Sequence, residues 1–195
     1  MKKIKRLQML GICLILCGLL ALLAGYLLEQ KAQTENRQAV AQMQSILPPA
    51  APGIADQYSH MEMPSLQIGG RDYVALLEAP MYGVRLPVRS RWSALEARSC
   101  PCRFYGTVYD GSLIIGGNQN KDQFAFLTQI QNGDKVVITD MTGAQFAYRV
   151  SLVYRTDSVD AQSLMDDESD LTLFAPCNFG LEYVVVRFVA DVVTQ

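Results

Sequence analysis

Hydrophobic and polar positions change rhythm twice along this chain. From Met9 to Leu28, "MLGICLILCGLLALLAGYLL" runs for twenty residues without a charge. At about 1.5 Å per residue, such a helix covers roughly the ~30 Å hydrocarbon core of a bilayer. Gln30 to Ile46 is then rich in good helix formers with little apolar periodicity, which predicts a stalk continuing that helix. The prolines of "LPPAAPG" forbid helix and favour an extended linker, which the polar stretch to Met63 prolongs.

After Pro64 the apolar period becomes two. "AQFAYRVSL" places Phe146, Tyr148, Val150 and Leu152 on one face, and with "DKVVITD" before it reads as a hairpin closed at "MTG". "SLIIGG" and "DLTLFA" are short apolar runs bounded by turn signals, and "EYVVVRFVADVV" is a long β-branched strand. Two helices are predicted: Asp122 to Gln131, where Phe124, Leu127 and Ile130 share a face, and a short piece around Ala161 to Asp166. Many short strands and few helices point to a mostly β domain, a closed or nearly closed barrel.

Charge adds direction to the apolar segment. Lys2, Lys3, Lys5 and Arg6 precede it, against Glu29 and Lys31 after it, which places the amino terminus in the cytoplasm and the rest outside. The apolar run is long for a signal peptide and no small-x-small site closes it, so an uncleaved anchor is expected. The chain then divides into a basic cytoplasmic segment (1–8), an anchor (9–28), an extracytoplasmic stalk and Pro-rich linker (29–63) and a folded domain (64–195). A net charge of −2 gives no electrostatic ground for nucleic acid as a partner. Beyond the anchor only Cys100, Cys102 and Cys177 remain, so no disulfide framework or paired-cysteine zinc site is expected, and no cofactor is called for.

The order of segments resembles the sortases, the membrane-anchored cysteine transpeptidases of Gram-positive surfaces. "YVALLEAPMYGVRLPV" is similar to the family's opening strands, and "PCRFYG" followed by "SLIIGGNQN" to its central block, where a strand ends in Ala-Gly-His-Asn. "DLTLFAPCNFG" resembles its Thr-Leu-x-Thr-Cys strand, and the likeness is nearest to class B or class D-like members. The resemblance implies a closed eight-stranded β-barrel with one or two short helices. It also implies a thiol that attacks a sorting-signal peptide, a histidine acid–base and an arginine that steadies charge.

On those positions the chain departs from the pattern. Asn118 meets the histidine position, and an amide cannot carry a proton near neutral pH. His60, the only histidine, falls in the linker. Two registers are open at the cysteine. In one, Cys177 reaches the pocket, either through a bulge or because Leu173 to Cys177 matches the motif without an insertion, and Arg187, ten residues on, is the cation. In the other, Pro176 occupies the cysteine position and Tyr183 the arginine position. The reading these departures favour is a cell-surface pseudo-sortase that binds a peptide or surface-protein partner. The alternative is an active transpeptidase or hydrolase acting through a Cys177 thioacyl intermediate. Cys100-Pro101-Cys102 reads as scaffold, since a C-x-C pair is poorly placed for an unstrained disulfide. Asp157, Asp160, Asp166, Asp167, Glu168 and Asp170 lack calcium-loop spacing and read as a solvated face. Trp92 and Tyr82 are candidates to line a groove.

Overall fold

The computed structural model describes residues 2–49, 51–53, 61–165 and 169–191, with the side chains of 2–8 and 10 left aside. His60, Asp166, Asp167 and Glu168 lie outside the described residues. Two compact units result, Met1–Glu35 and Asn36–Gln195. Helix α1 spans Lys2–Ile46, and its Gly11–Ile46 part is long and apolar enough to cross a membrane.

In the second unit, ten strands form a single sheet. They are β1 (Ala51–Pro52), β2 (Leu66–Ile68), β3 (Arg71–Ala79), β4 (Val84–Arg89), β5 (Cys102–Tyr105), β6 (Leu113–Gly116), β7 (Lys135–Asp140), β8 (Ala144–Thr156), β9 (Leu171–Cys177) and β10 (Glu182–Ala190). Eight of them close on themselves in the order β3-β4-β5-β6-β9-β10-β8-β7 and back to β3. The protein is therefore a closed, mostly β, eight-stranded barrel, with β1 and β2 as appendages on β8 and β3. Closure removes the unpaired edges that an open sheet would expose.

Alternation decides what faces inward. Leu77, Ile115, Ile138, Leu173, Val186 and Phe188 meet in the interior without measurable exposure. The β7–β8 hairpin forms as the pattern requires. Asp140 Oδ1 accepts from the Thr142 and Ala144 amides at 2.8 and 3.0 Å, and Gly143 supplies the left-handed turn with φ 88°. Asp140 Oδ2 also accepts the buried Tyr109 hydroxyl at 2.6 Å, tying this turn to the loop before β6.

Three details differ from the sequence expectation. Leu152 does not join Phe146, Tyr148 and Val150 but is 48% exposed. Arg187 pairs with Leu152 and Phe188 with Val150, so Ser151 is an extra residue that reverses the alternation beyond it. The expected helix at 122–131 is a 3-10 turn, Phe124–Thr128. Phe124 and Leu127, three residues apart, stack on one side of this 3-10 turn, and both are buried, as is Ile130 just beyond its end. Finally, the last turns of α1 are not bare stalk. Ala39 and Met43, one helical turn apart, are buried against Ile68, Tyr73, Leu76 and Cys100. The short helix α2 forms at Ala161–Met165 as expected and seats Leu164 on the barrel's outer face, among Ile114, Phe174 and Val185.

Candidate functional site

A groove of about 920 Å³ lies on the outside of the barrel, where β6 and β9 end side by side. Their parallel pairing matches Gly116 with Phe174, and the Gly117 amide extends it with a 3.0 Å bond to the Phe174 carbonyl. Carried two residues further, that register sets Asn118 beside Pro176, on the face that Phe174 occupies. Across the other edge of β9, Pro176 pairs with Tyr183 of β10. Asn118, Pro176 and Tyr183 thus sit abreast on three neighbouring strands, and all three line the groove.

Cys177 falls one residue past this row. The β9–β10 register runs from Leu171 to Cys177 without a shift, so no bulge intervenes. Cys177 borders the groove, yet its side chain shares the inward face with Leu171, Leu173 and Ala175 and is 4% exposed. Burial pushes its thiol pKa up; Arg155 pulls it down and Glu182 adds to the rise, with a net upward shift. A higher pKa means less thiolate at neutral pH, the opposite of what an attacking cysteine requires.

Arg187 lies elsewhere. Its partner across β9 is Thr172, near the other end of that strand. It is 3% exposed, and its guanidinium donates to the Leu164 and Ser163 carbonyls at 2.8 and 2.9 Å, to Thr172 Oγ1 at 2.9 Å and to Tyr154 Oη at 3.3 Å. Those bonds clamp α2 and the start of β9 onto β10. Arg187 does not line the groove.

Asn118 is held rather than free to act. Its amide nitrogen donates to Gln123 Oε1 at 3.1 Å, and Asn118 Nδ2, Asn120 Nδ2 and Gln123 Nε2 converge on the Arg98 carbonyl at 3.4, 3.4 and 3.0 Å. Gln123 is almost wholly buried, so one side chain locks the end of β6 to the groove's opposite wall, the 3-10 turn Glu96–Arg98. The residue just past that wall is tied to α1 as well, because Asn36 Nδ2 donates to the Ser99 carbonyl at 2.6 Å.

Three aromatic side chains also line the groove. Trp92, Phe104 and Phe174 form a triangle with ring centroids 5.2 to 5.6 Å apart. Gly116 allows it, since a Cβ there would run into the Trp92 and Phe174 rings. Sequence reading singled out Trp92 but missed Phe104, Phe174 and Arg98, which carry no motif of their own. Tyr82 lies outside the groove, bonded to Asp134 at 2.5 Å. Cys100 and Cys102 are buried free thiols, pushed up to about 12 and about 11 chiefly by burial. Among the described residues no His, Cys, Asp or Glu cluster is arranged to hold a metal.

No family model and no curated protein matches the chain. Solved structures do. A sortase D5 transpeptidase of Clostridium perfringens aligns with TM-score 0.52 at 22% identity, over 61% of this chain and 79% of that one. Sortase A of Corynebacterium diphtheriae, as a lid mutant, aligns with TM-score 0.52 at 17% identity, over 84% and 93%. This is the sortase fold. Sortase C1 of Streptococcus suis agrees, with TM-score 0.51 at 17% identity over 60% and 72%. In the sortase-fold barrel described here, the groove-facing row of β6, β9 and β10 reads asparagine, proline, tyrosine.

Proposed function

We propose that this protein is a pseudo-sortase, anchored in the membrane by α1 with its barrel on the extracytoplasmic side, that binds a peptide segment in its groove without transferring it. One observation supports this above others: unbulged β9 presents Pro176, and not a thiol, beside Asn118 and Tyr183. Proline offers no nucleophile and asparagine no proton carrier. The aromatic triangle suits an apolar, extended ligand, which such surfaces hold by burial and ring packing. The basic residues before the apolar run support the orientation. Sorting-signal peptides, the ligand class implied by likeness to the transpeptidase relatives, are the first to try.

The test uses the full chain in lipid nanodiscs with a panel of sorting-signal peptides. Binding is read from the fluorescence of Trp92, the only tryptophan, and chemistry from intact mass. Saturable binding with no mass adduct is expected. A thioacyl adduct on Cys177 that disappears in Cys177→Ala would establish the active enzyme instead.

A further inference from the structure

Trp92 and Phe104 wall two cavities at once. Beyond them lies a second one, of about 440 Å³, whose lining includes Glu62, Ser90, Arg91, Arg103, Thr107 and Asp110. Its chemistry is unlike that of the groove. Arg103 is held in place by a 3.1 Å bond from its Nε to the Ser90 carbonyl, and its side chain is 20% exposed. The Glu62 carboxylate sits 3.5 Å from Arg103 Nη1, on a side chain that is 88% exposed. A carboxylate so open to water is held weakly. Asp110 also faces the cavity, but its Oδ1 accepts from the Thr107 amide at 3.1 Å and from the Ser112 amide and hydroxyl at 3.2 and 2.6 Å. Once Glu62 is displaced, the cavity is lined by Arg103, by Arg91 and by one carboxylate that is already engaged by its own loop.

We propose that this cavity is a second subsite, which takes the acidic side chain of a peptide whose apolar segment lies in the groove, and that Glu62 is the intramolecular surrogate it displaces. A guanidinium matches a carboxylate in shape and charge, and Arg103 is already oriented to meet one. Because the two cavities share a wall, an extended chain advancing about 3.3 Å per residue reaches both within a few residues. The link to a peptide rests on the peptide-binding reading of the groove. The carboxylate site itself rests on its own geometry.

Three probes separate the two. With the full chain in nanodiscs and Trp92 fluorescence as the signal, one titrates N-acetyl-glutamate amide, then hexapeptide amides of Leu, Pro and Val carrying a Glu at either end, then their Gln counterparts. N-acetyl-glutamate amide is expected to bind, about two- to five-fold more tightly in Glu62→Gln, the scale set by an exposed ion pair. Arg91→Gln and Arg103→Gln are each expected to weaken it at least about ten-fold at unchanged melting temperature. Should Arg103→Gln fail to fold, Arg91→Gln and Glu62→Gln carry the test. The Glu peptides are expected to outcompete the Gln peptides only while both arginines are present. Equal binding of Glu and Gln peptides, or a Glu62→Gln chain that binds the amino-acid probe no more tightly, overturns the subsite and leaves the groove reading intact. Binding of the amino-acid probe with the expected variant effects, but of neither peptide, upholds the carboxylate site and defeats the groove reading.

Discussion

A proline inside a strand removes one donor from the ladder, so its place in β9 has to be one where no partner waits. The Phe174 carbonyl points toward β6, and backbone groups two residues apart point the same way, so the Pro176 nitrogen faces β6 too. There β6 has already ended, at Gly116. Pro176 is thus compatible with the barrel, and its neighbour Cys177 turns inward. Maleimide labelling at neutral pH, followed by peptide mapping, is expected to modify Cys177 at least about ten-fold more slowly than an ordinary exposed cysteine. Rapid labelling would contradict the inward thiol. The sequence exposed both candidate registers but could not choose between them, because a bulge is a property of pairing and leaves no mark in one strand. Arg187 was equally ambiguous. That it faces out of the barrel interior follows from alternation, whereas the α2 carbonyls that cover it are a tertiary matter. Arg187→Met is expected to lower stability by about 2–4 kcal/mol, read by urea unfolding, because several buried acceptors lose a charged donor. Near-wild-type stability with lost peptide binding would instead make it a site residue.

Among the elements, those set by strict alternation or by turn chemistry were legible. The β7–β8 hairpin, β6, β9, β10 and α2 all follow their patterns. What escaped were features created by neighbours: the Ser151 bulge that exposes Leu152, and the burial of Ala39 and Met43, which a lone helix does not announce. The turn Pro80–Tyr82 is joined to the loop before β7 by the hydrogen bond from Tyr82 to Asp134. Burial first, and that bond second, raise Tyr82 to about 12, while the Tyr82 hydroxyl and the Gln131 amide hold Asp134 below its ordinary 3.8. The phenol's contribution is then complete below pH 10 and lost as pH climbs toward about 12. The carboxylate's contribution is complete above 3.8 and lost as pH falls through its lowered value. Tyr82→Phe is therefore expected to cost about 1 kcal/mol, constant between those limits and shrinking beyond either one. A difference that stays flat from pH 2 to 12 would show that the bond contributes nothing.

At the scale of the whole molecule, the barrel has the sortase fold although identity with the solved structures stays near one residue in five. The fold was readable from the order of short motifs, because barrel closure constrains strand order and facing more than residue identity. The groove was only half readable. Its strands were named in advance, whereas Phe104, Phe174 and the Arg98 carbonyl came together only through folding. Protease protection in sealed vesicles tests the proposed topology: the barrel should be cleaved only when the extracytoplasmic face is outward, and cleavage in the opposite orientation would reverse the assignment.

The uninterrupted register of β9 also sets what reversing the proposed loss of chemistry would take. If inactivity resides in one row of side chains, reversal needs no rebuilding of the backbone. Asn118→His, Pro176→Cys and Tyr183→Arg together would place imidazole, thiol and guanidinium on adjacent strands, in the order that the sortase resemblance implies. That triple variant, with Cys177→Ala added, is expected to acquire a thioacyl adduct from a sorting-signal peptide by intact mass. The chain carrying only Asn118→His and Tyr183→Arg should not. An adduct that forms equally well on Cys177 would mean that the inward thiol reaches the groove after all. If that variant reacts, the difference between the proposed binding surface and a catalyst lies in the side chains of one row and not in the path of the backbone.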